Sequence, residues 1–195
     1  MTYQQTAPAQ AATAPAGLKR PGTLLAFVIA GAVSALAGIV AAVHMLAGGD
    51  GLAEQYATDL INADPESLGI DELLAVTGGE SAGDAIATLE DMGFWNEIVA
   101  AAGAELILKS VLALLFVVPL LLFTLLAMKG ATWARVLVTT FAVLALLPHL
   151  ILALAEGLPV EQVLGFVGLA TAVLAVVLAW LPANNRFAKA RKFAA

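Results

Sequence analysis

Four stretches of the chain shed their polar residues almost completely, and the rest of the sequence is arranged around them. One, from Leu106 to Met128, carries polar side-chain atoms only at Lys109, Ser110 and Thr124. About 23 residues at roughly 1.5 Å each make about 34 Å of helix, enough to cross a hydrocarbon core of about 30 Å. Comparable runs cover residues 24–47, 136–155 and 160–181. A helix that is apolar on every side belongs in lipid or among other helices. The pattern therefore predicts an all-α integral membrane protein with four transmembrane helices.

Polar segments separate and flank these runs. Residues 48–103 form a long insertion between the first and second spans, expected to fold as a helical extracytoplasmic cap. Leu52, Tyr56 and Leu60 recur at helical spacing with Glu54 and Asp59 turned away, which predicts a short amphipathic helix continuing from the first span. Asp64-Pro65 has the form of an N-cap followed by a first helical residue, with Ile70, Leu73 and Leu74 as the apolar face and Gly78-Gly79 as the stop. Ser81 and Asp84 form a capping pair for a third helix with Ile86 and Leu89 inward. Lys129 to Thr132 makes a tight connection between the second and third spans. Glu156 to Pro159 turns the third into the fourth, where Pro159 suits a first helical turn and Glu161 faces the positive helix start. The membrane domain thus occupies residues 21–182. Residues 1–20 are expected to be a disordered cytoplasmic tail, because Ala, Gln, Thr and Pro without periodicity bury too little surface to offset chain entropy. Residues 183–195 form a basic cytoplasmic tail.

Within the spans the small residues are periodic. Gly31, Ser34, Gly38 and Ala41 share one face of the first span, and Gly165, Gly168, Ala172, Ala175 and Ala179 share one face of the fourth. Small residues let helix backbones approach closely. With four spans the first and fourth run antiparallel, and their two seams are expected to meet.

Composition agrees with the pattern: 61% of residues are hydrophobic and 12% charged, against about 45–50% and 25% in soluble domains. The net charge of −6 matters less than its distribution. No Lys or Arg occurs between Arg20 and Lys109, while most Asp and Glu lie in that interval. By the positive-inside rule Lys19, Arg20, Lys129, Arg135 and the tail residues Arg186, Lys189, Arg191 and Lys192 belong in the cytoplasm. This orientation predicts a multi-pass membrane protein with both termini inside. Trp95, Trp133, Arg135, Trp180 and Arg186 lie at span ends and read as interfacial anchors.

Candidate chemistry is sparse. The absence of Cys excludes disulfides, thiolate nucleophiles and Cys-ligated metals. Gly79-Glu80-Ser81-Ala82-Gly83 matches the G-x-S-x-G nucleophile elbow, but that motif needs a strand-to-helix turn and a nearby His. Here the flanks are helical and both histidines lie in spans, so Ser81 reads as a helix start. His44, Glu105, Lys109, His149 and Glu156 fall toward the outer ends of their spans and form a candidate outer-face polar cluster. Glu105 and Lys109 are four apart in the favourable order for a helical ion pair. No metal-ligand spacing and no calcium loop is present, so no catalytic, metal or cofactor site is predicted.

Two junctions carry a resemblance. Gly130-Ala131-Thr132-Trp133-Ala134-Arg135 and Leu181-Pro182-Ala183-Asn184-Asn185-Arg186-Phe187 resemble the G-x-x-WAR and LP-x-x-N-R-F/Y junctions of small four-span integral membrane proteins of actinobacteria. The resemblance implies architecture and source, and so a place in the bacterial plasma membrane with both termini cytoplasmic, without an activity. The order of a long first and short second outer loop is similar to claudin-type proteins, whose first-loop tryptophan motif and cysteine pair are missing here. The expected role is a non-enzymatic accessory or scaffold subunit of a larger membrane assembly, respiratory or of the cell envelope. Its expected partners are the bilayer and other membrane subunits or copies of itself, with no nucleic acid. The alternative is binding or transport of a small molecule, ion or metal through His44 and His149. Serine hydrolysis at Ser81 comes last.

Overall fold

The computed structural model describes residues 20–63, 65–66, 68–129 and 131–194, the last four of these by backbone alone. Among the described residues there are helices and turns and no strand. The helices are α1 (Gly22–Ala63), α2 (Ile70–Thr77), α3 (Ala82–Asp91), α4 (Trp95–Ala127), α5 (Thr132–Ala153), α6 (Pro159–Ala179) and α7 (Pro182–Ala194). Four of them, α1, α4, α5 and α6, are long and apolar enough to cross a membrane.

These four pack as a ring in which α1 adjoins α4 and α6, while α5 closes the ring between them. Short connections make α4, α5 and α6 successively antiparallel. The α1 helix runs antiparallel to α4, with Gly31 beside Thr124 and Gly38 beside Val117, and to α6, with Ser34 beside Gly168 and His44 beside Glu161. Basic residues therefore collect at one end of the bundle and acidic residues at the other. The inward faces are built largely from small side chains at spacings of three and four residues. On α4 they are Ala102, Leu106, Ser110, Ala113, Val117, Leu120, Thr124 and Ala127. On α6 they are Gly165, Gly168, Ala172, Ala175 and Ala179. This period of about 3.5 residues keeps one seam facing its neighbour along the whole helix. Large residues such as Leu25, Ile29, Leu115, Leu122, Val163 and Phe166 point outward from the ring.

At Gly49, with φ 54° and ψ −146°, α1 bends. Only glycine adopts that backbone geometry without strain. The bend lays the second part of α1 across the acidic end, where Tyr56, Ala57 and Ile61 join Trp95, Leu106, Leu152 and Leu158 in a separate core cluster. Helices α2 and α3 complete this cap.

Several boundaries differ from the sequence-based expectation. The α2 helix starts at Ile70 from a left-handed Gly69 (φ 68°), and Pro65 instead lies in the preceding turn, its carbonyl accepting from the Ile70 amide at 2.9 Å. Burial of Ile70 sets that start; Asp64 lies outside the described residues. The α4 helix begins at Trp95, well before residue 106, because Ile98, Val99 and Ala102 continue its packed face onto the cap. The basic tail is helical from Pro182, and Phe187 packs against the main core. The tail expected at residues 1–20 lies outside the described residues apart from Arg20, and so does Gly130 of the connection between α4 and α5.

Candidate functional site

Polar side chains inside the bundle gather at three levels. The deepest is His149, which is 1% exposed. Its imidazole occupies a socket made by glycines: a Cβ on Gly168 would fall within the ring, and one on Gly38 would lie 3.2 Å from its Cε1 and 2.7 Å from Val117 Cγ1. A Cβ on Gly165 would strike the α5 backbone at His149 and Ala153. Ser34 completes the socket. Its hydroxyl donates to the Gly168 carbonyl at 2.9 Å and lies 3.1 Å from His149 Nε2. A hydroxyl has one proton, so Nε2–H of His149 is assigned as donor to Ser34 Oγ. Nδ1 is left as a buried acceptor with no partner among the described residues.

This node ties α1, α5 and α6 together. Two hydrogen bonds worth about 1 kcal/mol each roughly balance an unsatisfied buried nitrogen at about 1–3 kcal/mol. Its contribution is register, since the ring fits only when the socket glycines lie at its level. Ser34 and Gly168 are the direct polar meeting point of the two small-residue faces. Other members face elsewhere: a Cβ on Gly31 would lie 2.8 Å from Thr124 Oγ1 on α4. Ala41, Ala172, Ala175 and Ala179 are fully buried.

The second level lies at the acidic end. His44 Nδ1 is 2.6 Å from Glu161 Oε1. The imidazole is half exposed while Glu161 is 1% exposed, in the first turn of α6. Burying a carboxylate costs several kcal/mol; here it is offset by the imidazole N–H and by the positive helix start. Nearby, Lys109 Nζ pairs with Glu105 Oε1 at 2.7 Å and donates to the Tyr56 hydroxyl at 2.8 Å. That hydroxyl in turn donates to Glu105 at 2.8 Å. The trio fastens the bent part of α1 to α4. Glu156 is exposed in the turn before α6. The expected cluster is thus divided: His44 is engaged with Glu161, Glu105 with Lys109 and Tyr56, and His149 with Ser34. The structure adds Glu161, Tyr56 and Ser34 as partners. The pairing of His44 with Glu161 spans 117 residues, and no local sequence signal encodes it.

The third level is at the basic end. Arg135 is 2% exposed, turned inward where an interfacial anchor would face the surroundings. Its Nη1 donates to the Ala179 carbonyl at 3.1 Å and to Asn185 Oδ1 at 3.2 Å. The guanidinium carbon lies 5.8 Å from the centre of the Trp180 ring. Trp95 is also buried, whereas Trp133, Trp180 and Arg186 are exposed. The two junctions that open α5 and α7 therefore touch each other through Arg135 and Asn185.

Ser81 caps α3. Its hydroxyl donates to Asp84 Oδ2 at 2.8 Å and accepts from the Asp84 amide at 3.2 Å. The amides of Glu80 and Ser81 and the Ser81 hydroxyl hold the Asp84 carboxyl below the usual carboxylate range. Beside the cap, Asp50, Glu54, Glu90 and Trp95 line an open cleft of about 630 Å³. Among the described residues no group of three or more His, Asp or Glu is placed to hold a metal ion. Compared with known protein families, curated proteins and solved structures, the chain matches none.

Proposed function

We propose that the chain is a multi-pass protein of the bacterial plasma membrane, with both termini cytoplasmic and the acidic cap outside. In this reading it serves as a non-enzymatic accessory or scaffold subunit of a larger membrane assembly. The apolar outer faces of α1, α4, α5 and α6 suit lipid or neighbouring helices, and the separation of basic from acidic ends suits the positive-inside rule.

The observation that carries the scaffold role is the use made of the polar interior. Ser34 with His149, His44 with Glu161, and Tyr56 with Glu105 and Lys109 each fasten one helix, or one part of a helix, to another. They hold a fixed shape. The cap then presents that shape to partners, with Val76 at 88% exposure and Leu68 and Met92 half exposed on a strongly acidic surface. Apolar groups set among charges on a water-facing surface suit protein docking.

Isolation of the native protein in a gentle detergent, with native sizing and mass spectrometry of what accompanies it, tests this role. A larger complex with a partner in fixed stoichiometry is expected. A protein that runs alone, or only with copies of itself, would contradict the scaffold role.

A further inference from the structure

All 15 acidic side chains of the sequence lie between Asp50 and Glu105 or at Glu156 and Glu161. The opposite end of the bundle has none. It is there that Arg135 is buried, among neutral acceptors only. Both of its hydrogen bonds come from Nη1, and its buried Nε–H has no partner among the described residues. A guanidinium removed from water without a counter-charge is costly, and no side chain near it among the described residues supplies one.

Arg135 also lines a cavity. About 270 Å³ lies between the start of α5 and the inner face of α7, walled by Thr132, Arg135, Asn185, Ala188 and Lys189. Asn185, Ala188 and Lys189 are spaced to share one face of α7. That helix is held in place by Asn184, which accepts from the Thr23 hydroxyl at 2.8 Å and donates to the Leu178 carbonyl at 2.8 Å. Thr132 is the first residue of α5, where free backbone N–H groups and the helix dipole favour an anion. The cavity therefore joins a buried guanidinium, an exposed ammonium, a hydroxyl and a helix start, with no carboxylate among the described residues.

We propose that this cavity binds a phosphate group, with Arg135 as its principal donor and Lys189 and Thr132 completing the cradle. Guanidinium and phosphate match in geometry as well as charge. The cavity sits at the end of an apolar bundle, so the phosphate can belong to the headgroup of an anionic lipid or to a soluble phosphate compound. The site stands independently of the scaffold role.

The test uses the full chain, stripped of lipid in a neutral detergent, with thermal unfolding followed by tryptophan fluorescence. The probes are short-chain phosphatidylglycerol, the corresponding diacylglycerol lacking phosphate, and sodium phosphate at ionic strength matched with sodium chloride. Phosphatidylglycerol is expected to raise Tm in a dose-dependent way while diacylglycerol does not. Arg135→Gln should weaken the apparent affinity about tenfold or more, as loss of a charge-assisted hydrogen bond would. Lys189→Gln, at an exposed position, should weaken it about threefold and leaves the packing intact, so it carries the test if Arg135→Gln fails to fold. Stabilisation by phosphatidylglycerol alone assigns the site to a lipid headgroup; stabilisation by phosphate as well assigns it to the phosphate group itself. The proposal is overturned if neither phosphate probe stabilises the protein, if diacylglycerol does so equally, or if Lys189→Gln responds like the wild type.

Discussion

Gly168 has no side chain, and the volume a methyl group would take is filled by the imidazole of His149. Gly168→Ala should therefore lower stability by about 1–3 kcal/mol, the usual cost of overpacking a filled core. In a His149→Ala background the same change should cost much less, because the ring it collides with is gone. Unfolding of the four proteins in detergent measures the coupling, and additive losses would show that ring and glycine are independent. Ser34, Gly38 and Gly168 were legible in the sequence as small-residue faces. What fills the space they leave was not. Periodicity gives the face of a helix but not its level against a neighbour, and His149 reaches its socket only because α1, α5 and α6 are aligned along their lengths. Glu105 and Lys109 were legible as a pair because four residues of one helix bring them together. His44 and Glu161 were not, since only the packing of α6 on α1 joins them.

At the scale of the element, hydropathy located the four long helices, and it understated α4 most clearly. Thirty-three residues of α4 form one helix, yet only from Leu106 onward is the run nearly all apolar; the earlier turns alternate between cap core and solvent. The tail is a helix that its charges concealed, and its Asn185 draws Arg135 inward, away from the surface its place beside Trp133 suggested. Local capping chemistry was readable at α3. The folded Asp84 carboxyl titrates below its unfolded value, so its stabilisation of α3 is present above the unfolded range near about 4. It is lost as pH falls through the lower folded value. Hydrogen exchange of the α3 amides should accelerate in acid relative to those of α2, and Asp84→Asn should abolish that difference. Equal acid sensitivity in wild type and Asp84→Asn would contradict the assignment.

For the whole molecule, charge placement and shape have one common consequence. Acidic residues cover the cap and basic residues gather at the other end, where the starts of α1 and α5 meet α7. Four apolar helices separate the two. In a membrane this arrangement has one orientation favoured by the positive-inside rule, with the cap outside. The chain contains no cysteine, so a single introduced thiol reports its side of the membrane without background. The decisive measurement is labelling of Asp91→Cys on the cap and Arg186→Cys on α7 with a membrane-impermeant maleimide, in intact cells and after permeabilisation. Labelling of Asp91→Cys in intact cells, and of Arg186→Cys only after permeabilisation, is the predicted result. Labelling of both in intact cells, or the reverse order, would contradict a bundle that crosses the membrane four times with its acidic cap outside.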